Sequence, residues 1–518
     1  MNAAPADFLT AHALAQPDRV AVIDDRPGHA PLMWTFAELE SQANRLANAM
    51  AALGVRTGDK VLWCGMNSAG VLRMMHAARK LGVTAVPLNY RLTAEEAGYI
   101  LDDSDAIAVY ADADMAPLFA ALRPAAAKVR HWLSYGGPAP AWMLDAEALV
   151  AGAGGQPPPI DRAAVNPCTM IYTSGTTGRP KGAVRPVLGD PESLARLVAE
   201  IGYVREDVYL TSGPLYHSGP GGFASIAHLV GSTVVVQRKF DAEDWLRLVD
   251  AHRVTTTFTA PTPIRLVCQL DPAVKARYAR TSMKRMIANA APWSMALKRM
   301  YLADFPPDSL WEVYGSTELG VDTVLRPEDQ LRKPGSCGRP APGVDLALFD
   351  AEGNRIDAPR VHGDLYVRSR GSFVAYHKAA EKFERARRGE WLSVGDVAWF
   401  DEEGYWYIGD RRNDMIITGG MNVYPAEIEA ALDQHPDVMD VAVVGIPDEQ
   451  WGETVHAFVV RRDGTLTEQD LLHWARDHLA GYKLPRSIAW LEEIPRNASG
   501  KILKRTLRET WLAGHAPA

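Results

Sequence analysis

Tyr172-Thr-Ser-Gly-Thr-Thr-Gly-Arg-Pro-Lys-Gly182 decides how the rest of the chain is read. Residues 168–173 form a short apolar run that predicts a strand. From Thr173 the composition switches to hydroxyls and glycine, ending in Lys181. Such a loop can hold phosphate. Gly175 and Gly178 let backbone N–H groups turn inward, the hydroxyls of Thr173, Ser174, Thr176 and Thr177 add donors, and Lys181 adds positive charge. A P-loop would need two glycines five positions apart, with Lys-Ser or Lys-Thr directly after the second, and that spacing is absent. Taken alone, the stretch also reads as a Gly/Ser/Thr surface turn before a strand.

The surrounding chain narrows the choice. At 518 residues it is long enough for two or more structural units. Its 47% hydrophobic and 23% charged residues are those of an ordinary globular protein. A formal charge of -8 without a long basic tract argues against non-specific nucleic-acid binding. Cys64, Cys168, Cys268 and Cys337 are scattered, with neither metal-ligand spacing nor the density of a disulfide framework, which fits a reducing compartment. Residues 1–16 lack a basic segment before an apolar core, and no apolar run reaches membrane-spanning length. The expectation is a soluble cytoplasmic protein with no transmembrane segment.

Periodicity gives the architecture. Thr35 and Glu38 form a capping-box pattern, and Leu39, Ala43, Leu46, Met50 and Leu53 then recur at helical spacing until Gly54. Strands are expected at 61–64, 83–86 and 107–110, with helices at 71–81 and after Thr93, where Glu96 is the box partner. Residues 136–159, rich in Gly, Pro and Ala, read as a connector. Beyond the phosphate loop, strands are expected at 208–211, 233–236, 255–259, 285–288 and 310–313, with helices between them. Strands alternating with helices imply parallel sheet, whose ligands collect beyond the carboxyl ends of the strands. Residues 338–370 read as a smaller antiparallel or barrel-like element. A change follows near Asp410, with Pro425 opening a helix, strands at 441–444 and 457–460, and a helix after Thr467. The fold class is therefore α/β: doubly wound sheets with a small barrel-like element in residues 1–410, a hinge at 411–414, and a small mobile α+β domain at 415–518.

Three further stretches carry chemistry. Tyr314-Gly-Ser-Thr-Glu318 follows an apolar strand, Trp391-Leu-Ser-Val-Gly-Asp396 ends in an acid, and Pro495-Arg-Asn-Ala-Ser-Gly-Lys501 lies near the C-terminus. Read singly, they are a strand-to-turn transition, a turn-forming Asp and a solvated Lys. Together, and in this order with the phosphate loop, they resemble the motifs of the acyl-adenylate-forming superfamily of acyl-CoA synthetases, firefly-type luciferases and peptide-synthetase adenylation domains. The resemblance covers most of the chain in at least six segments.

It implies ATP, Mg2+ and coenzyme A as cofactors and assigns roles position by position. Thr173, Ser174, Gly175, Thr176, Thr177, Gly178 and Lys181 would hold phosphate. Tyr314 would lie on adenine, Thr317 would bond the α-phosphate, and Glu318 with Thr173 would hold Mg2+. Asp396 and Arg411 would grip the ribose. Lys501 would reach the carboxylate and α-phosphate as they meet. The stretch from Arg411 to Glu429 resembles the hinge and the start of the mobile domain, with Asn413 where family members mostly carry Asp or Lys.

On the acyl side, Pro214-Leu-Tyr-His217 resembles the segment whose histidine borders the carboxylate site. Gly221 stands where some long-chain synthetases carry a tryptophan gate, and Asn289 and Ala290 fall in a segment lining the acyl and adenine pockets. His217 also reads as a satisfied histidine at a strand end. Ala260, Gly219, Gly221 and Gly222 imply a roomy apolar tunnel. Trp451, Tyr482 and Arg486 resemble CoA-nucleotide contacts, with Gly420 beside the pantetheine channel, although interdomain packing would equally explain Trp451.

The expected activity is an AMP-forming acid–thiol ligase making acyl-AMP and then acyl-CoA. Its substrate would be a medium- or long-chain acid, or a bulky polycyclic, steroid-like one. The alternatives are an aryl-CoA ligase, a stand-alone enzyme that loads a carrier protein, and a nucleotide-binding scaffold with a dead site. The expected partners are a small-molecule carboxylic acid, ATP and CoA, with a homodimer left open.

Overall fold

The computed structural model describes residues 7–160, 167–173, 180–187, 189–289, 291, 293–411, 414–418, 421–448, 450–462, 464–496 and 502–514, with backbone alone for 410, 411 and 422. Ser174, Gly175, Thr176, Thr177, Gly178, Ala290, Asn413, Gly420 and Lys501 lie outside the described residues, as does the side chain of Arg411.

Helix Phe36–Ala52 shows how local signals set the core. The Thr35 hydroxyl accepts from the Glu38 N–H while the Glu38 carboxylate accepts from the Thr35 N–H, so both ends of the expected capping box are made. Leu39, Ala43, Leu46 and Met50 all reach zero exposure. Gly54, at a φ of 91° that favours glycine, ends the run. The buried stripe joins one apolar cluster containing Val61 and Tyr110 from one large sheet and Val22, Val234 and Ile287 from another. Truncating Leu46 to Ala there would cost about 2–5 kcal/mol.

The first large sheet runs, in spatial order, Arg339–Pro340, Gly320–Leu325, Leu310–Ser316, Arg285–Ala288, Thr256–Thr259, Val208–Thr211, Thr233–Val236, Val20–Asp24 and Leu32–Thr35. Its six inner strands are parallel, and antiparallel strands close both ends. The second runs Ala375–Tyr376, Lys181–Pro186, Cys168–Thr173, Thr84–Leu88, Lys60–Cys64, Ala108–Asp112, His131–Tyr135 and Leu144–Asp145. It is parallel from Cys168–Thr173 onward. The expected strands are all present, and the expectation of parallel sheet holds for the interiors of both sheets.

A seven-stranded antiparallel sheet between Asp345 and Arg411 is the smaller element expected from residues 338–370. The last sheet holds strands Ile416–Thr418, Met421–Val423, Val438–Asp448, Gly452–Arg461 and Ser487–Trp490. Its two apolar clusters, one with Ile428 and Val443 and the other with Phe458 and Leu507, draw only on residues after 415. A large N-terminal part and a small C-terminal one thus have separate cores.

Two expectations change. Residues 136–159 are more than a connector, because helix Ala146–Gly152 forms there, capped by Asp145 and tied by Glu147 to buried Arg73 at 2.6 Å. A short, alanine-rich helix with a good cap was hidden by the flanking glycines and prolines. The strand expected to stop at 313 continues through Ser316, because a hairpin with Gly320–Leu325 extends its pairing across a bulge. Among the described residues no helix is long and apolar enough to cross a membrane.

Candidate active site

Four neighbouring strands of the first sheet deliver the expected residues to one edge. His217 follows Val208–Thr211, Ala260 follows Thr256–Thr259, Asn289 follows Arg285–Ala288, and Thr317 follows Leu310–Ser316. All four positions lie just past the carboxyl ends of parallel strands.

The second sheet supplies the residues expected to hold phosphate. Strands Cys168–Thr173 and Lys181–Pro186 pair antiparallel with Thr173 opposite Lys181, so the intervening loop joins them at that point. Glu318 crosses over from the first sheet, and its Oε1 accepts from the Thr173 hydroxyl at 3.0 Å and from the Tyr376 hydroxyl at 3.1 Å. The Lys181 ammonium stands 5.6 Å from the centre of the Tyr376 ring. Burial, followed by the adjacent ammonium of Lys382, pushes the pKa of Lys181 down, with Glu318 pulling the other way. Two cations side by side repel, and an anion laid between them relieves that cost.

Thr317 and Glu318 are aimed by the hairpin turn. A side chain at Gly315 would run into the Gly320 carbonyl oxygen, so glycine is required for the two strands to approach this closely. The Thr317 hydroxyl lies 2.8 Å from that of Ser218, at the start of helix Ser218–Val230. The Arg185 guanidinium donates to the carbonyls of Thr317 at 3.0 Å and Gly371 at 2.7 Å, pinning the turn. Burial lowers the pKa of Arg185, against the pull of Asp322 and Glu318.

The antiparallel sheet closes the far side. The Tyr314 hydroxyl donates to Asp396 Oδ2, and burial, then Asp396, pushes the phenol pKa far up. Asp396 opens strand Asp396–Phe400 and lies opposite Arg411 on the neighbouring strand. Tyr314, Asp396 and the Arg411 backbone are therefore together. Asp322 lies wholly buried in the same region, its pKa raised chiefly by burial and next lowered by Arg185, and neither carboxyl oxygen has a hydrogen-bond partner among the described residues.

The acyl side departs from expectation. His217 caps helix Ser218–Val230 with its backbone, and its ring lies 4.4 Å from that of Tyr216. The Asn289 side chain donates to the Val313 carbonyl at 2.6 Å, stitching two strand ends together. Gly219 and Gly221 do not open a tunnel. A side chain at Gly219 would strike the Phe258 ring, and a Cβ at Gly221 would sit 2.6 Å from the Leu215 carbonyl oxygen. Phe258 itself stacks on Phe223, with centroids 5.0 Å apart. The missing side chains are spent on close packing, and Phe258 occupies the room next to Gly219. Only Gly222 faces open space.

In the C-terminal part, Arg486 and Trp451 meet, the guanidinium 5.3 Å from the indole centre, and Trp451 is 38% exposed. Tyr482 is 40% exposed, with the Lys483 ammonium over its ring. The sequence reading missed Tyr376, Lys382, Arg185, Ser218 and Asp322. Each acts from outside the quoted motifs through a tertiary contact, and only the strand pairing that puts Tyr376 opposite Ala183 brings it to the phosphate side.

Among the described residues no group of three or more His, Cys, Asp or Glu could hold a metal. Glu318 with the Thr173 hydroxyl is instead a donor set of one carboxylate and one neutral oxygen. Mg2+ accepts such a set when phosphate oxygens and water complete its octahedron.

Residues 9–377 match the family described as AMP-binding enzyme, and residues 427–501 match the AMP-binding enzyme C-terminal domain. The long-chain-fatty-acid–CoA ligase FadD13 of Mycobacterium tuberculosis is 34% identical over 483 residues, 92% of this chain and 93% of that protein. The fatty acid–[acyl-carrier-protein] ligase ScoC of Streptomyces coeruleorubidus is 34% identical over 489 residues, 92% of this chain and 91% of that one. The solved o-succinylbenzoate CoA synthetase of Bacillus subtilis, in complex with its acyl-adenylate intermediate, superposes with a TM-score of 0.82 at 28% identity, covering 97% of both chains. Matched in both of its parts and along most of its length, the chain belongs to the family of AMP-binding enzymes.

Proposed function

We propose that the protein is an ATP-dependent carboxylate–CoA ligase that works on an apolar carboxylic acid in the cytoplasm. In the first step a carboxylate oxygen attacks the α-phosphorus of ATP. An O–P bond forms, the bond to the β-phosphate breaks, and pyrophosphate leaves. In the second step the CoA sulfur attacks the acyl carbon, the C–O bond to AMP breaks, AMP departs, and the thiol proton passes to solvent. Activation as a mixed anhydride makes the acyl carbon electrophilic, and holding both reactants in one site supplies much of the remaining rate.

The observation that carries this reading is the convergence of Thr173, Lys181 and Glu318 from two sheets, with Tyr314 and Asp396 beside them. Lys181 and the loop residues Ser174, Gly175, Thr176, Thr177 and Gly178 bind the phosphates, and Lys382 faces them from the rim. Thr317 binds the α-phosphate. Tyr314 packs on adenine, and Asp396 with Arg411 holds the ribose. Glu318 and Thr173 would hold Mg2+, which screens the charge of the phosphates. Lys501 neutralises charge where carboxylate and α-phosphate meet. Residues 1–410 form the large domain and 415–518 the mobile one. Between the steps the mobile domain turns about 411–414, with Asn413 at the hinge, and Trp451, Tyr482, Arg486 and Gly420 receive CoA.

His217, Gly221, Asn289 and Ala290 border the acid. A medium- or long-chain or polycyclic acid is one reading of this side, and the fatty-acid activity in the name of FadD13 supports it. Phe258 beside Gly219 favours a flat aromatic acid that can lie on the Phe258 and Phe223 rings, in keeping with the o-succinylbenzoate enzyme. The name of ScoC supports a carrier-protein arm as acceptor.

The test is acid-dependent AMP and pyrophosphate release with CoA, or with a phosphopantetheinylated carrier protein. The acids run from acetate through benzoate and ferulate to palmitate and a steroid carboxylate, with Lys501→Ala alongside. Turnover that one acid class supports with CoA and the variant loses is the expected outcome. Turnover only with the carrier protein would move the acceptor, and pyrophosphate-free ATP binding with every acid would overturn the reading.

A further inference from the structure

The two parts of the chain meet at a small part-buried ion group outside all the quoted motif roles. Arg265, on helix Pro261–Cys268 of the large part, donates to the Met439 carbonyl at 2.9 Å and lies 3.1 Å from Asp440 Oδ2. Asp440, in strand Val438–Asp448, also accepts from Nη2 of Arg496, at 2.9 and 3.0 Å. The three side chains are only 14–15% exposed. One carboxylate is thus shared by two guanidiniums that come from different parts of the molecule.

What hangs on each end gives the group its meaning. Arg496 pairs antiparallel with Ile502, and the Leu503 N–H donates to the Pro495 carbonyl at 2.9 Å. The base of the segment that carries Lys501 in sequence is therefore closed and fixed on Asp440. At the other end, the helix of Arg265 follows strand Thr256–Thr259 with only Ala260 between them, and that strand holds Phe258 and accepts the Asn289 N–H on the Thr259 carbonyl. Further contacts join the parts: Asp433 bonds Ser294, the Gln269 amide donates to Met439 Sδ at 3.7 Å, and the rings of His362 and Tyr424 stack at 4.4 Å. Meanwhile Ile417, Met421 and Trp451, around the expected CoA contacts, are 49%, 42% and 38% exposed. The edge of Arg496 and Asp440 is docked, and the edge of Ile417, Met421 and Trp451 faces solvent.

We propose that Arg265 is a positioning residue for the first half-reaction, holding Asp440 and through it Arg496, so that the C-terminal part stays seated on the large part by the edge that carries Arg496. The proposal rests on the two-step ligase reading above. A carboxylate shared between two guanidiniums is bidentate enough to fix an orientation, and it can be given up from one side only. When the C-terminal part turns for the second step, Asp440 leaves Arg265 and keeps Arg496, so no buried anion is stranded. Arg265 thus favours one of two orientations without touching any reactant, and its removal shifts the balance toward the other.

The experiment separates the half-reactions in the full-length protein, with the panel acid that exchanges fastest in the wild type. The first is read as acid-dependent exchange of pyrophosphate into ATP, and the second as CoA thioester formation from the presynthesised acyl-adenylate of the same acid. Arg265→Gln is expected to lower the exchange rate about tenfold while the second step keeps or exceeds its wild-type rate. Arg265→Lys recovers part of the loss, and adding Asp440→Asn to Arg265→Gln costs less than the two separate effects combined. Equal losses in both half-reactions would assign Arg265 a merely structural role and overturn the proposal, as would wild-type rates in both. A melting temperature within a few degrees of the wild type shows that the fold is intact, and Arg265→Lys carries the test if Arg265→Gln does not fold. Absence of exchange in the wild type with every acid would instead overturn the ligase reading itself, so the two failures are told apart.

Discussion

The phosphate side of the site draws on both large sheets and the acyl side on the first alone, and the two are built in opposite ways. On the phosphate side each functional atom is a polar group held by another: Thr173 and Tyr376 on Glu318, Ser218 on Thr317, Tyr314 on Asp396. On the acyl side the decisive features are aromatic volumes and the places where a side chain is missing, with Phe258 filling the space beside Gly219. A polar site is specified by the identity of its atoms, an apolar one by the volume its neighbours leave.

If that contrast is right, the largest effect belongs to the phosphate side. Glu318→Gln keeps the shape and removes the charge that two hydroxyls and a cation need. Acid-dependent pyrophosphate exchange is expected to fall about 100-fold or more, with little change in melting temperature. A loss below tenfold would erase the distinction, since Glu318 would then be just another packed residue.

The acyl side should answer to volume. Phe258→Ala opens the space beside Gly219 and is expected to shift the kcat/KM ratio of bulky over flat acids about 10- to 100-fold in favour of the bulky ones, leaving the KM for ATP alone. Gly219→Ala does the reverse. It forces its methyl into the Phe258 ring and is expected to cost about 1–3 kcal/mol of stability, read by denaturant unfolding, with recovery in the Gly219→Ala/Phe258→Ala double variant. Additive costs in the double variant would show that the two residues do not share that space.

The same contrast explains what was legible in the sequence. Both expected capping boxes, at Thr35 and Thr93, follow from residue types at fixed spacings, because their bonds close within a few residues, and the strand Cys168–Thr173 follows from its apolar run. Thr173, Lys181, Tyr314, Glu318 and Asp396 could be named because their motifs, in this order, resemble those of the acyl-adenylate-forming superfamily. Gly219 misled because an absent side chain marks empty space and close packing alike, and only the position of Phe258, 39 residues further on, decides between them. Tyr376, Lys382 and Arg265 were invisible for a related reason: nothing near them in sequence carries the partner they meet in space.

Lys382 sharpens the comparison with a smaller effect. It is exposed at the rim, beside Lys181, on helix Ala380–Arg385. An exposed cation screened by solvent contributes modestly. Lys382→Ala is expected to raise the KM for ATP about three- to fivefold at low salt, with the difference shrinking as salt screens the charge and with the acid KM unchanged. A salt-independent change would mean that Lys382 packs rather than attracts.

The smallest effect comes from the contact between the two parts. Asp433 is 8% exposed and bonded to Ser294, and burial pushes its carboxyl up to about 6 from an ordinary value of 3.8. Arg265 and Arg462 pull the other way, and Asp440 adds to the rise. Where docking supplies that burial, it outweighs the lowering by Arg265 and Ser294, and the docked arrangement then binds a proton more tightly than the undocked one. Docking is favoured below about pH 6 and loses ground as pH climbs from near 3.8 through 6, above which the carboxyl is charged in both arrangements and the dependence flattens. The ratio of pyrophosphate exchange to thioester formation from acyl-adenylate is expected to fall a few-fold between about pH 5 and pH 7 in the wild type and to stay level in Asp433→Asn. An equal slope in both proteins would place the titration elsewhere. A slope lost in the variant would tie the balance between the half-reactions to one carboxyl at the interface, outside the phosphate side's dense hydrogen bonding.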